Sequence, residues 1–154
     1  MLTPFSGQPA HLVKRFKEQS RLTPEKALFF EKRDGQWSGL TYAQTETRVS
    51  QLALYMAKLG LRPGDHVLLC AENRIDWAVA DLAIMAVGCV VVPAYTTNTE
   101  EDHAWLIDHS QVKLVICCAG KVADSLAKIL SEKDDVTDMI LMDQPATEFQ
   151  VSKN

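Results

Sequence analysis

The sequence predicts an α/β fold: a three-layer, mainly parallel sheet with helices on both faces, preceded by a helix and a small hairpin. From His66 onward, short apolar segments alternate with helical ones and are joined by short loops. Such alternation is typical of right-handed β-α-β units on a parallel sheet. The short segments are also continuously apolar, as expected of strands that are covered on both faces.

Residues 1–40 are interpreted as a lead-in to this sheet. A short helix is expected over 11–20, and its apolar residues should share one side: Leu12, Val13 and Phe16. Strands are expected over 27–31 and 37–40. The Asp34-Gly35 pair between them is a favoured centre for a two-residue hairpin turn.

A long helix beginning at Thr41 should open the β-α-β core, which is predicted over 41–142. Thr41 and Gln44 have the spacing of a capping box. An apolar stripe then recurs every three or four residues: Val49, Leu52, Ala53 and Met56. Gly60 follows Lys58 in the last turn and should end the helix in the left-handed conformation.

The rest of the core is predicted as four strands and three helices. Strands are expected over 66–70, 89–92, 112–118 and 138–142, with Gly64-Asp65 as a tight turn into the first. Helices are expected over 74–87, 100–109 and 121–130. The polar tail over 143–154 has no periodicity and is predicted to be frayed.

The helix over 74–87 is apolar nearly all round, so it should be buried between layers. Asn73 is the expected N-cap, with Asp76 completing a weaker capping box. Trp77 is interpreted as a core anchor.

The length of 154 residues and the composition indicate a single domain over 1–154. Sixteen basic and twenty acidic side chains give a net charge of −4, which disfavours nucleic-acid binding and a basic surface for anionic lipids. No secretory signal is recognised. The longest apolar run, Leu82 to Tyr95, is shorter than the ~18 residues that span a bilayer and is broken by Gly88 and Pro93. A cytoplasmic protein without a transmembrane segment is expected.

All four cysteines lie in strand-like apolar runs: Cys70, Cys89, Cys117 and Cys118. Buried thiols in a reducing compartment explain this placement. Metal ligation is the alternative, but no C-x-x-C pair occurs and the adjacent Cys117 and Cys118 should point to opposite faces of a strand.

Three further segments are candidate sites. The stretch from Tyr95 to Thr99 could be a phosphate loop, yet it has no glycine, and a turn that caps the next helix is favoured. Gly120-Lys121 could belong to a P-loop, but Val115 and Val122 stand where that motif needs glycine and Ser or Thr. The acidic cluster at Glu100, Glu101, Asp102 and His103 could bind metal or act in acid–base catalysis, although acidic residues at a helix start explain it.

No other residue is marked as catalytic. His103 and His109 are not on one helical face, His66 begins a strand, and no serine has a nearby histidine and acid that would suggest a triad. The prediction is therefore that this chain holds no catalytic, cofactor-binding or metal-binding residue.

An ordered set of features over 27–141 carries a family resemblance. In chain order it comprises Gly64-Asp65-His66-Val67, Asn73, Trp77, Gly88, the strand from Val90 to Pro93, Thr97, Glu100-Glu101 and Asp108-His109-Ser110. This set resembles the N-terminal part of the adenylate-forming acyl-CoA synthetases, above all the long-chain fatty acid–CoA ligases. Tyr95 followed by Thr97 is more similar to the long-chain group than to the acetate or aryl enzymes.

The resemblance implies a complete enzyme that makes acyl-AMP from a fatty acid and ATP with magnesium, then transfers the acyl group to coenzyme A. The family's phosphate loop, adenine and ribose motifs and catalytic lysine have no counterparts here. The chain would then be an N-terminal scaffold segment, inactive alone, binding no cofactor itself and partnered by the remainder of the ligase.

Two further expectations follow from that resemblance. The isolated segment should self-associate through exposed apolar surface, and the complete enzyme should be cytoplasmic and peripheral at the membrane. The alternative hypothesis is a self-sufficient small α/β binding module, or a regulatory paralogue without ligase activity.

Overall fold

The computed structural model describes residues 11–133, 136 and 138–142. Five helices and six strands follow one another in this part of the chain: α1 Leu12–Leu22, β1 Ala27–Arg33, β2 Gln36–Thr41, α2 Tyr42–Lys58, β3 His66–Cys70, α3 Ile75–Val87, β4 Val90–Ala94, α4 Glu100–His109, β5 Val112–Cys117, α5 Lys121–Leu130 and β6 Asp138–Leu141. The predicted tail over 143–154 lies outside the described residues.

The core is a parallel four-stranded sheet in the order β4-β3-β5-β6, and β1 and β2 form a separate antiparallel hairpin. Successive side chains of β3 point to opposite faces. Val67 and Leu69 pack in a cluster with α2 and α3, whereas Leu68 and Cys70 pack in a cluster with α4 and α5. The predicted three-layer α/β fold is therefore confirmed.

Local signals set most helix ends. Thr41 and Gln44 form the predicted capping box at α2, and Gly60 follows the helix with a φ of 91°. The hairpin turn has positive φ at both Asp34 (49°) and Gly35 (78°), as a two-residue turn between antiparallel strands requires. Asp65 likewise closes the predicted turn at Gly64, because its carboxylate accepts the Arg62 backbone N–H at 2.6 Å.

The predicted cap of α3 is wrong. The helix begins at Ile75 after an extended Arg74, whose side chain makes no capping hydrogen bond. Instead, the Glu31 carboxylate of β1 accepts the Ile75 backbone N–H at 3.0 Å. Asp76 completes no capping box and accepts side-chain hydrogen bonds from Arg48 at 3.2 Å and Arg74 at 3.0 Å. A residue from the hairpin thus takes over the role predicted for Asn73.

Burial corrects three further predictions. Val13 and Phe16 are buried, but Leu12 is exposed, so it does not share their side of α1. Trp77 is half-buried and packs at the margin of the core rather than anchoring it. Several residues of β4 are not covered on both faces, and Val90 is 45% exposed.

The predicted strand over 89–92 is shifted to Val90–Ala94. Cys89 is excluded because its N–H bonds to the Ile84 carbonyl at the end of α3. Pro93 is included because, among the described residues, β4 lies at the edge of the sheet. The Val90 N–H bonds to the Asp65 carbonyl, so the nitrogen of Pro93, an odd number of residues away, faces the open side, where a missing N–H breaks no ladder bond.

Candidate functional site

The carboxyl ends of three parallel strands meet at one edge of the sheet. Cys70, the last residue of β3, pairs in register with Ala94 of β4 and with Cys117 of β5. In open α/β sheets, ligands bind outside this edge. The residues around it are therefore the candidate site of the described chain.

His103 lies at the centre of this edge and is only 2% exposed. Its Nε2 is 3.1 Å from the Tyr95 carbonyl oxygen and 3.6 Å from Cys70 Sγ. Because a carbonyl oxygen can only accept, Nε2 carries the proton. His103 thereby ties α4 to the end of β4, beside the end of β3.

The thiol of Cys70 is not a nucleophile at neutral pH. Burial, with a smaller contribution from the neighbouring Cys118, raises the pKa of Cys70 to about 11. A catalytic thiol needs a lowered pKa, because the thiolate is the reactive form. Contact between Cys70 and His103 therefore does not make the activated pair found in thiol enzymes.

One carboxylate of the acidic cluster, that of Asp102, caps the start of α4. Thr99 Oγ1 accepts the Asp102 backbone N–H at 3.1 Å, and the Asp102 carboxylate accepts the Thr99 backbone N–H at 3.0 Å. Hydrogen bonds from the Thr99 hydroxyl and backbone lower the pKa of Asp102. Glu100 is paired with Lys128 at 2.7 Å. The predicted capping role of the Tyr95–Thr99 turn is confirmed.

The histidines and carboxylates of this region do not converge. His103 points into the protein, whereas His109 stacks on Trp105 with ring centroids 4.5 Å apart. Within 11–133, 136 and 138–142, no three His, Cys, Asp or Glu side chains are grouped so that they could hold a metal ion. His66 is half-buried at the start of β3.

The glycine at the start of α5 serves a backbone purpose. Gly120 precedes that helix with a φ of 83° and provides no side-chain cap. Val115, which would have to be the first glycine of a P-loop, is fully buried in β5. The segment therefore has the backbone of a strand-to-helix turn without the residues of a phosphate cradle.

All four cysteines are buried, as predicted. Cys118, however, lies one residue beyond β5, and its N–H donates to the Cys70 carbonyl at 3.1 Å. Sequence reasoning missed the grouping of Cys70, Tyr95 and His103. Two signals could have found it: parallel strands end at a common edge, and His103 lies four residues before buried Ile107 on α4.

A model of the AMP-binding enzyme family matches residues 16–154, so the chain belongs to that family. FadD15 of Mycobacterium tuberculosis, a long-chain-fatty-acid–CoA ligase, is 29% identical over 127 residues, which cover 82% of this chain and 21% of that protein. A linear gramicidin synthase from Brevibacillus parabrevis is 30% identical over 105 residues, or 68% of this chain and 2% of that protein.

A solved structure of the N-terminal domain of FACL13 from Mycobacterium tuberculosis has the same fold. Its TM-score is 0.76 at 24% identity, over 86% of this chain and 33% of that one. The resemblance drawn from the sequence is therefore confirmed at the level of family and fold. The present chain spans about a fifth of FadD15.

Among the described residues, no helix is both long and apolar enough to cross a membrane.

Proposed function

We propose that this chain is the N-terminal segment of a long-chain fatty acid–CoA ligase. The complete enzyme would join a fatty acid to ATP as acyl-AMP and transfer the acyl group to coenzyme A. One observation carries the proposal: the family match covers 16–154, while the alignment with FadD15 leaves about four fifths of that ligase outside it.

The isolated segment is proposed to be a scaffold without ligase activity. At the carboxyl edge of its sheet, the Cys70 thiol is protonated at neutral pH because its pKa is about 11. The Asp102 carboxylate is engaged by Thr99, and Glu100 by Lys128. ATP with magnesium needs a glycine-rich backbone cradle for its phosphates, and the Tyr95–Thr99 turn at this edge contains no glycine. Nucleotide, magnesium and coenzyme A would be bound by the remainder of the ligase chain.

Localisation and assembly complete the proposal. Four buried free cysteines support a reducing, cytoplasmic location, and a long-chain fatty acid substrate would bring the complete enzyme to the membrane surface as a peripheral protein. The open edge of β4, where Val90 is 45% exposed, supports self-association of the isolated segment.

A self-sufficient α/β module without ligase activity is the second candidate. It is favoured by the closure of both sheet faces, since Leu69 and Leu68 are each fully buried in clusters that the described residues complete. The DNA after the codon for Asn154 discriminates between the two. A stop codon supports the module, whereas a continuing frame that encodes a Ser/Thr/Gly-rich loop supports the ligase.

Activity provides the biochemical test. The purified chain and the product of any longer frame are each incubated with ATP, magnesium and palmitate, and pyrophosphate is measured. We expect fatty-acid-dependent pyrophosphate from the longer protein and none from the chain alone. Release by the chain alone would refute its inactivity, and no release by the longer protein would refute the ligase.

A further inference from the structure

One face of the β1–β2 hairpin carries two exposed aromatic rings. Lys32 lies opposite Trp37 and Phe30 lies opposite Gly39, so the side chains of these residues share one face. Phe30 is 64% exposed and Trp37 is 69% exposed. A Cβ at Gly39 would lie 2.9 Å from Phe30 Cδ1, which places the ring over the glycine.

A cleft of about 610 Å³ runs between this hairpin and the start of α3. Phe30 and Trp37 line it from the hairpin, and Asn73, Ile75 and Ala78 line it from the other side. Scattered exposed apolar residues are ordinary. Two large aromatic side chains on one concave surface are instead typical of interfaces, where Trp and Phe are enriched.

Residues of β1 that alternate with those on this face connect the hairpin to the start of α3. Glu31 accepts the Ile75 N–H at 3.0 Å and pairs with Arg33 at 2.7 Å. Arg33 and Arg74 also reach Asp76, at 3.5 Å and 3.0 Å. The positive end of α3 is therefore already neutralised by a carboxylate of this chain. That arrangement disfavours an anionic occupant at this end of the helix. Beside the two aromatic rings, the cleft is also lined by the oppositely charged Lys32 and Glu72.

We propose that the cleft is the docking site for an apolar segment of the remaining ligase chain, which covers Phe30 and Trp37. The inference rests on the proposed function. The length of the relatives supports this occupant. The match covers 21% of FadD15, so about four fifths of that protein lies outside it and could supply the segment. The charged residues that line the cleft are of both signs and so match no single ionic partner, whereas the two exposed rings match an apolar segment.

The chain offers a matched pair of tryptophans for the test. Trp105 is 59% exposed, similar to Trp37, but it stacks on His109 of its own helix and lies outside the cleft. Trp37→Cys and Trp105→Cys are made in the chain alone and in the longer protein, and the labelling rate of each new thiol is measured. The four native cysteines are buried and report on folding, since their labelling should stay slow. Phe30→Cys provides a second position should Trp37→Cys misfold.

In the chain alone, both new thiols should label rapidly. In the longer protein, the thiol at position 37 should label at least about tenfold more slowly, equivalent to about 1.4 kcal/mol, while that at position 105 keeps its rate. Equal rates at position 37 in both proteins would overturn the docking site. Protection that develops in the chain alone as its concentration rises would overturn it in favour of a second copy of the chain.

Pyrophosphate release by the same longer protein separates this inference from the proposed function. If the longer protein is active but position 37 is not protected, the docking site is refuted and the proposed ligase function stands. If position 37 is protected but no fatty-acid-dependent pyrophosphate is released, the ligase function is refuted and the docking site stands. A reading frame that stops after Asn154 removes both.

Discussion

Strands β3 and β4 are parallel neighbours of similar apolar sequence with very different surroundings. Val67, Leu68, Leu69 and Cys70 of β3 are fully buried, whereas Val90 of β4 is 45% exposed and Pro93 is also exposed. β3 lies between β4 and β5, but within the described residues β4 has a strand only on its β3 side. The same kind of apolar run is thus a core strand in one place and an edge in the other.

The difference teaches that an apolar run predicts a strand but does not determine how deeply that strand is buried. Residues 67–70 of β3 are fully buried because β3 has a strand on each side and helices on both faces. The edge of β4 carries one safeguard, because Pro93 presents no N–H on the open side and so limits pairing with another strand. Four comparisons between variants, or between a variant and the wild type, test this contrast.

The largest effect should come from truncating the same residue type on each strand. Val67 and Val91 are register partners on one face, but Val67 is fully buried and Val91 is half-buried. Val67→Ala should lower the free energy of unfolding by about 2–3 kcal/mol, from two lost methyl groups and the cavity they leave. Val91→Ala should cost less than about 1 kcal/mol. Urea denaturation measures both, and equal losses would show that β4 is as well packed as β3.

The turn that enters β4 should also be more sensitive than an ordinary helix end. Gly88 has a φ of 87°, and a Cβ there would lie 3.1 Å from Pro63 Cβ; Gly60 has a φ of 91° and open space. Each Gly→Ala change should cost about 1–2 kcal/mol for the left-handed backbone. The cost should be larger at Gly88 because Pro63 must also move. Thermal unfolding of the two variants compares them, and a smaller loss at Gly88 would mean that the entry to β4 is loosely held.

The carboxyl end of β3 should make stability depend on alkaline pH. The pKa of Cys70 is raised from 9.0 to about 11 in the folded chain, so the unfolded chain loses this proton first. The contribution of the protonated Cys70 thiol to stability is therefore complete below pH 9 and is lost progressively as the pH rises from 9 through 11. At pH 10 the wild type should have lost about 1.4 kcal/mol relative to pH 7 that Cys70→Ala does not lose. If the stability of the wild type and of Cys70→Ala depended on pH in the same way, the raised pKa of Cys70 would be contradicted.

The smallest effect is expected after β4, where Thr99 caps the start of α4. Thr99→Ala should cost about 1 kcal/mol, because the Asp102 backbone N–H loses its acceptor, the Thr99 hydroxyl. Thr97→Ala, at an exposed position of the same turn, should stay within about 0.5 kcal/mol of wild type. Guanidinium denaturation compares the two. A Thr97 effect as large as that of Thr99 would contradict the assignment of the cap.

Sequence reasoning succeeded where the decisive groups are close in the chain. The bounds of β3, α4 and α5 agree with prediction, because capping boxes and apolar periodicity act over a few residues. It failed at the start of α3, because the acceptor of the Ile75 N–H is Glu31, 44 residues earlier. Similarly, an apolar ring such as Trp77 carries no signal of whether a neighbouring element covers it.

Some features of the candidate site could likewise be predicted from the sequence and others could not. The capping role of the Tyr95–Thr99 turn could be predicted, since Thr99 and Asp102 are three residues apart. The contacts of His103 with Tyr95 and Cys70 could not, because Cys70 belongs to another strand, 33 residues away. The order of the strands had to be known first.

The sequence by itself determined the helices and strands, most of their caps and turns, the α/β class and the resemblance to the AMP-binding enzymes. These depend on the 3.6-residue and continuous apolar patterns, on Thr, Asp and Gly at particular positions, and on motif order. Only the tertiary structure decided that β4 is an edge, that Glu31 caps α3 and that Phe30 and Trp37 line a cleft. Each of these depends on contacts between residues far apart in the chain, and a local pattern cannot specify which distant surface a residue will meet.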